Sequence, residues 1–591
     1  ILSPKMSEVG RHQKIRLFTN ASIDSVEGNV GNFRVRLILR PRGVRVENCM
    51  NCGKCSEACP VEVPNEFDEG LYKRKAIYRP FPEAIPSAYT IDFENCKRCG
   101  LCVKVCSKGA IELYEKESTL EINVGAIIIA TGFDLIDLSR WRNYLPYNPD
   151  VITALQMERL MINELAAGKV LKRKDGERVK KIAYILCVGS RDYSNGMRYC
   201  SKVCCPYTIK QAILLKKTLP YIKVWIYYTD IRMAGKGYEE LYRTAREIGI
   251  GFIHGKPSKV TMDEETKRLE IIAEDKDSGL LIRNRVDMVV LSQALVPSKS
   301  TEDLVEKLRV YLSEDGFIAE KHPKLAPVLT HREGIFVAGA ASGPKDVRDS
   351  VVDAQAAASQ AISLFNNERI FIKPRGVVLN ENLCDGCKAC IHSCPKKAIS
   401  IENRKISIDR ASCNGCGACL VSCEKKALDL AYYGRYQLNE QIRAMLMSKT
   451  LDVRIIGFFS DQVAYDALDM VGTSRLYYPE SIYAIRVPTT LLVDLERVLF
   501  TFAYGADAIV LSEAEGSFEA KTTEESIVGI RKSLEKYGIE KDRLSFQPAS
   551  LPTFRVIPEK LASYEEKIRR LGKFHEKIRE GLKDIVSKKA I

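Results

Sequence analysis

Apolar and polar positions alternate in two short runs near the start of the chain, Ile15-Arg-Leu-Phe and Phe33-Arg-Val-Arg-Leu-Ile-Leu. Separated by Gly28 and Gly31, they predict strands of a β-ribbon. Farther on, the alternation gives way to continuous β-branched runs at Val124 to Ala130, Lys181 to Val188 and Asp287 to Pro297. Such runs predict strands buried on both faces. An alanine-rich helix is predicted over Asp349 to Phe365. Short strands recur at Val377-Val-Leu, Ala398-Ile-Ser-Ile and Ala427-Leu-Asp-Leu. From about residue 440, strands (Val453-Arg-Ile-Ile-Gly-Phe; Ala506-Asp-Ala-Ile-Val-Leu) alternate with helices (Glu525 to Tyr537; Tyr564 to Lys583), the pattern of a small α/β domain. The lysine- and glutamate-rich tail is expected to be a solvated helix.

Between these elements stand two paired runs of cysteines. The first reads Cys49, Cys52, Cys55 and Cys59-Pro60, then Cys96, Cys99, Cys102 and Cys106. The second reads Cys384, Cys387, Cys390 and Cys394-Pro395, then Cys413, Cys416, Cys419 and Cys423. In the bacterial 2[4Fe–4S] pattern, three closely spaced thiolates grip one cubane and the fourth crosses to the other. The expected ligand sets are therefore Cys49, Cys52, Cys55 and Cys106; Cys96, Cys99, Cys102 and Cys59; Cys384, Cys387, Cys390 and Cys423; and Cys413, Cys416, Cys419 and Cys394. Structural zinc takes four ligands, commonly as two pairs, and disulfide frameworks belong to short secreted chains, so neither suits two runs of eight. A chain with four such clusters moves electrons.

With 591 residues the chain has room for roughly three to five domains. Its 46% hydrophobic and 28% charged residues are ordinary for a globular protein. No apolar run approaches the roughly 18 residues that span a bilayer, and no signal peptide opens the chain. Free thiols and clusters fit a reducing cytoplasm. The net charge of +14 is spread among 76 acids without a nucleic-acid motif, which points to an acidic protein partner or to solubility. The chain starts at Ile1 in mid-pattern, so a fragment, a processed product or one half of a split subunit is expected.

The apolar run ending in Ala130-Thr131-Gly132 resembles the strand that closes the flavin domain of two-dinucleotide-domain flavoproteins, where glycine lets the backbone pass close to the cofactor. The run from Asp287 sits where such proteins close their nicotinamide domain. Gly334-Ile-Phe-Val-Ala-Gly-Ala-Ala-Ser-Gly-Pro-Lys-Asp then leads into the alanine-rich helix, whose N-terminus would stabilise negative charge on a reduced flavin. Residues 181–290 look like a nucleotide domain without its fingerprint, since no Gly-x-Gly-x-x-Gly follows the first strand. Weak or absent nicotinamide binding follows. The four cysteines there, Cys187, Cys200, Cys204 and Cys205, lack ferredoxin spacing; they are expected as buried core thiols, with a redox or ligand role as the alternative.

Several stretches together resemble the iron–sulfur flavoprotein component of heterodisulfide reductase: Val63-Pro-Asn-Glu-Phe-Asp, Arg74-Lys-Ala-Ile-Tyr-Arg-Pro-Phe-Pro, Cys187-Val-Gly-Ser-Arg-Asp, Tyr199-Cys-Ser-Lys-Val-Cys-Cys, Asp230-Ile-Arg, Gly235-Lys-Gly-Tyr-Glu-Glu and Gly343-Pro-Lys-Asp. They lie within residues 1 to about 430. The resemblance implies an α/β multidomain protein: a thioredoxin reductase-like, two-dinucleotide-binding-domain flavoprotein core with two 2[4Fe–4S] ferredoxin domains and a C-terminal small α/β domain. The expected boundaries are 1–40 (part of the FAD domain), 41–115 (inserted ferredoxin), 116–180 (FAD-domain strand and connection), 181–325 (degenerate nucleotide domain), 326–372 (rest of the FAD domain), 373–432 (second ferredoxin) and 440–591. It also implies four [4Fe–4S] clusters and an FAD that splits electron pairs between ferredoxin and the disulfide-reducing B and C components. Ala130, Thr131, Gly132, Gly339, Ala340, Gly343, Pro344, Lys345 and Asp346 would contact FAD. Lys345, Arg232 and Lys236 would tune its potential by positive charge, or serve as surface charge or phosphate contacts.

Two departures accompany that resemblance. The family's N-terminal region, with a glycine-rich FAD motif, precedes the segment matching Ile1-Leu-Ser-Pro-Lys-Met, so missing residues or a separate polypeptide would hold the FAD pyrophosphate. Residues 450–560 resemble the delta subunit of methyl-viologen-reducing hydrogenase. Where that family has cysteines, this chain has Phe458 to Ser460, Thr489 and Thr490, and Glu513 to Phe518, so a docking module without a cluster is expected. The expected partners are B- and C-like subunits of heterodisulfide reductase, ferredoxin, an electron-donating dehydrogenase or hydrogenase, and a second copy within a larger complex. The alternatives are a component of a quinone-interacting oxidoreductase and a non-catalytic iron–sulfur scaffold.

Overall fold

A computed structural model describes residues 2–589 except 195, 314, 323, 366–375, 395–397, 403–404, 410–412, 414, 448–450, 462 and 552. Ile1, Pro395 and the expected linker Lys373-Pro-Arg lie outside the described residues. The first sheet is antiparallel, ordered Ala21–Asn29, Asn32–Leu39, Ser118–Val124. In its central strand Phe33, Val35 and Leu37 are buried while Arg34 and Arg36 face out, the period-2 alternation of a half-buried strand. The turn into that strand needs Gly28: its φ is +83°, and an added Cβ would meet Asn32 O at 2.2 Å. The run Ile15-Arg-Leu-Phe forms no strand. The chain instead begins with the helix Leu2–Arg11, and the sheet starts at Ala21. Ile15 and Leu17 are left about half exposed, so no apolar burial holds them to the sheet.

The first ferredoxin module is inserted between the second and third strands of this sheet. The sheet packs over a parallel pair, Ile127–Ile129 with Ile335–Val337, around Phe33, Val35, Leu37 and Val337. The neighbouring unit is a five-stranded parallel sheet, ordered Val151–Thr153, Met288–Gln293, Lys181–Val188, Lys223–Tyr228, Gly251–His254. Its central strand, Lys181–Val188, is buried at every position but the first, as its unbroken apolar run requires. The run from Asp287 divides after Gln293, and Leu295–Pro297 leaves to pair with Phe133–Leu135.

The second ferredoxin module and the C-terminal domain share one continuous core that includes Val377, Cys419 and Leu428 on one side and Phe458, Ile485 and Leu492 on the other. The C-terminal sheet is parallel, ordered Ile482–Val487, Ile455–Ser460, Ala508–Ser512, Leu544–Phe546. The helix expected over Glu525 to Tyr537 runs Phe518–Glu535, because Ser517 caps it by accepting the Ala520 N–H. The helix expected over Tyr564 to Lys583 is two, Ile557–Leu571 and Glu576–Lys589, divided at Gly572. The second of these is not a solvated tail. It buries Leu582 and Val586 in the common core, and its Arg579 pairs with buried Asp507 at 3.4 Å. Among the described residues no helix is long and apolar enough to cross a membrane.

Candidate functional site

The four cysteine loops share one backbone device. The residues flanking the second cysteine of each triplet have positive φ: Asn51 and Gly53, Arg98 and Gly100, Gly386 and Lys388, Gly415 and Gly417. Such left-handed turns direct backbone N–H groups into a concave nest suited to negative charge. Among the described residues, three sulfurs of these loops accept N–H groups directly: Cys96 from Arg98 at 3.4 Å, Cys106 from Ala110 at 3.4 Å and Cys394 from Ala398 at 3.3 Å. Hydrogen bonds to sulfur are a lever on cluster potential.

The third cysteine of each triplet is buried, and the others reach it from the loop. Cys59, Cys96, Cys99 and Cys102 line one cavity with Val61, Ile77, Ile91 and Leu113; it holds about 330 Å³, counting the part open to solvent. Cys384, Cys387, Cys390 and Cys423 line a second of about 330 Å³. In both, the fourth cysteine of the distant run completes the set. Burial and the nearby thiols Cys416, Cys413 and Cys394 push the Cys419 thiol up. Burial chiefly, with Cys49 and Cys52 as neighbours, pushes Cys55 up to about 11. Crowded thiolates in an apolar wall resist ionisation unless cations join them. Among the described residues no group of three or more His, Cys, Asp or Glu side chains is arranged to hold a single metal ion.

The flavin side is built around the parallel pair of strands. At the end of Ile127–Ile129, Thr131 Oγ1 is buried without a hydrogen-bond partner, and Gly132 turns at φ +71° into open space. Across from it the loop Gly339–Ser342 carries Gly339 at φ +64°, and Gly343 is also open. An orphaned hydroxyl between open glycines suits a bound cofactor edge. Asp346 starts the following helix, Val347–Phe365, by accepting the Asp349 N–H at 2.8 Å. Lys345 lies in this loop but its charge is engaged: Nζ donates to Asp353 and, at 2.8 Å, to Ser342 Oγ, and stands 3.8 Å from Glu320. Arg232 and Lys236 are exposed on the loop after Lys223–Tyr228, and no hydrogen bond or ion pair among the described residues joins either to Lys345.

Spacing gave no hint that Cys187, Cys204 and Cys205 meet. Cys187, at φ +58°, and Cys204 and Cys205, opening the helix Cys204–Thr218, are buried and hydrogen-bond in sequence. The Cys204 bond, with Arg191 and Lys256 nearby, brings the Cys187 thiol down to about 7 against the pull of burial. The Cys204 bond likewise lowers Cys205, while Cys204 itself is pushed up. Cys200, half-buried, shares with Cys187 the charge of Arg191, which is held by Asp230 at 2.5 Å. Lys202, two residues past Cys200, donates to Asp349 on the flavin-loop helix.

In the C-terminal domain the cysteine-replacing residues also converge. Glu513 Oε1 accepts the Thr490 N–H and, at 3.0 Å each, the Thr489 and Thr490 hydroxyls. Its carboxyl is deeply buried, and desolvation raises its pKa. This knot seals against the second ferredoxin, since a Cβ on Gly417 would lie 3.2 Å from Thr489 Cγ2.

Crossed four-thiol cavities on an α/β core with an open glycine loop define an iron–sulfur flavoprotein oxidoreductase. Residues 48–111 and 376–424 each match a 4Fe-4S dicluster domain, and residues 455–572 match the delta subunit of methyl-viologen-reducing hydrogenase. The chain is 44% identical, over 450 residues, to the A component of the H(2):CoB-CoM heterodisulfide,ferredoxin reductase of Methanothermobacter marburgensis, covering 76% of this chain and 68% of that one. It is 38% identical over 533 residues to the A component of the ferredoxin/F(420)H(2)-dependent CoB-CoM heterodisulfide reductase of Methanosarcina acetivorans, covering 88% and 67%. A thioredoxin reductase structure from T. acidophilum aligns with 42% of this chain and 70% of its own at 15% identity, but its TM-score of 0.28 supports no argument. The chain belongs to the family of heterodisulfide reductase A components, the iron–sulfur flavoproteins of that enzyme. It is an electron-transferring oxidoreductase component whose cofactors are four [4Fe–4S] clusters and FAD.

Proposed function

We propose that this chain is the electron hub of a heterodisulfide reductase-like complex, dividing electron pairs between ferredoxin and disulfide-reducing B- and C-like subunits. The observation that carries the reading is the crossing of distant cysteines, Cys59 and Cys423, into the cavities of the opposite triplets. It supports the crossing rule behind the four ligand sets, two of which line these cavities. FAD supplies the exchange between two-electron and one-electron carriers. Ala130, Thr131, Gly132, Gly339, Ala340, Gly343, Pro344 and Asp346 form its edge contacts, and Lys345, buffered by Asp353 and Glu320, presents less charge to it than a free lysine. The names of the relatives, which pair a heterodisulfide with ferredoxin or F(420)H(2), support two acceptors or donors.

The same reading takes Cys187, Cys200, Cys204 and Cys205 as a reactive thiol group tied to the flavin loop through the Lys202–Asp349 link. It takes the C-terminal domain as a docking module, since Glu513, Thr489 and Thr490 fill the position of the delta-subunit cysteines. A cytoplasmic complex containing two copies of the chain and a hydrogenase or dehydrogenase donor completes the proposal. The test is coupled turnover by the anaerobically purified native complex. Ferredoxin reduction that requires simultaneous disulfide reduction supports electron splitting. Ferredoxin reduction at the same rate without disulfide overturns it and leaves simple transfer.

A further inference from the structure

Two acids of the C-terminal domain, Glu513 and Glu519, are only 3% and 8% exposed, and no ion pair among the described residues joins either to a cation. One oxygen of Glu513 accepts the Thr490 N–H and the hydroxyls of Thr489 and Thr490, and Thr490 Oγ1 lies 2.8 Å from Thr523 Oγ1. The Ser460 hydroxyl, fully buried, faces the same carboxyl and makes no hydrogen bond of ordinary geometry. Glu519, on the helix Phe518–Glu535, faces it as well. Asp461, buried beside Ser460, adds a further acid at this end of the sheet. Two carboxyls in one dry site resist carrying two negative charges and hold a proton between them instead.

The flavin core reaches into this site. Val310 and Ile318 belong to the core around Phe33, yet the Tyr311 ring packs against the C-terminal core, and its hydroxyl donates to Glu519 at 3.3 Å. Burial, then Glu519, Glu513 and Cys416, push the Tyr311 hydroxyl far up, so it stays a donor. His331 packs on Tyr311 with ring centroids 5.0 Å apart. Burial, with Lys321 nearby, brings that imidazole down to about 4, so it is uncharged near neutral pH. Tyr311 is thus a common neighbour of the acid pair and of the ligand Cys416. On the other side, Thr489, which donates to Glu513, packs on Gly417, the residue after Cys416. An electron added to the cluster there brings a negative charge close to the two carboxyls. Across a medium of low dielectric, that charge strengthens their hold on protons.

We propose that Glu513 and Glu519 form a proton site coupled to the cluster of Cys413, Cys416, Cys419 and Cys394, gaining one proton when that cluster is reduced. The electron comes from the donor that feeds the chain, and the proton comes from water and bonds to a carboxylate oxygen. Both leave again on oxidation, and no other bond forms or breaks. The inference rests on the hub reading only for the presence of this cluster and holds whether or not electron pairs are divided.

The sign follows from the order of the two states. The carboxyl titrates higher beside the reduced cluster than beside the oxidised one. Between those two points the midpoint potential falls as pH rises, and on either side of them it is flat. One proton per electron changes the reduction equilibrium tenfold per pH unit, which is 59 mV for a one-electron couple.

The experiment is a redox titration of the anaerobically purified complex, followed by low-temperature electron paramagnetic resonance at several values from roughly pH 5.5 to 9. One cluster is expected to lose up to tenfold in its reduction equilibrium per pH unit over part of that range. Glu513→Gln should flatten that cluster's response with iron content unchanged. Tyr311→Phe keeps the ring but removes the donor that steadies Glu519 as an anion. It should therefore move the sloping segment to higher pH, a result that keeps the test open even where Glu513→Gln fails to fold. A flat midpoint for every cluster of the unmodified complex overturns the proposal. A slope that is the same in the unmodified complex and in both variants also overturns it. A complex that lacks this cluster, seen as missing iron and a missing signal, removes the cluster assignment and the proton site together.

Discussion

At the scale of single residues, Glu513 and the cysteines carry opposite kinds of burial. The Glu513 carboxyl is pushed up by desolvation, and its neighbours are hydroxyls and Glu519 rather than a cation. A carboxyl whose folded pKa exceeds its unfolded value binds more protons folded than unfolded, so stability falls as pH rises above the ordinary range near 4.5. Glu513→Gln is expected to flatten this slope for the C-terminal domain, measured as Tm against pH from about 4 to 8; an unchanged slope contradicts the account of the knot. Among the cysteines, Cys59→Ala should lower iron by about four per chain and leave the set headed by Cys49 filled. Retention of all the iron in that variant contradicts the crossing. The cluster cysteines were legible because ligand spacing is local and set by the size of the cubane. Cys187, Cys204 and Cys205 were not, since a turn at Cys187 and the start of a helix bring them together through tertiary folding.

At the scale of elements, continuous apolar runs told truly where they are central in a sheet, as at Lys181–Val188 and Ile455–Ser460. The alternating run at Ile15 misled, because so short an alternation carries no information about whether a partner strand lies alongside. The final helix misled for the converse reason. Its surface is so rich in lysine and glutamate that the narrow stripe of Leu582 and Val586 is hard to see, yet that stripe joins the core shared with the second ferredoxin. Leu582→Ala should cost about 2–5 kcal/mol by denaturant titration of the C-terminal domain. A solvated helix would lose almost nothing.

At the scale of the whole molecule, a flavin core with an inserted ferredoxin module is followed by a second module that shares one core with the C-terminal domain. The order of modules was readable from the positions of the cysteines and glycine-ended strands along the chain. Their contacts were not, because the Lys202–Asp349 link and the Thr489–Gly417 packing join residues far apart in sequence. The central claim is that this chain is a multi-cluster flavoprotein hub, and iron and flavin counted together on the anaerobically purified native complex test it most directly. The account predicts one FAD and about sixteen irons per chain, four for each crossed set of cysteines. About eight irons or fewer, or full iron with no flavin even when the whole complex is present, would contradict it.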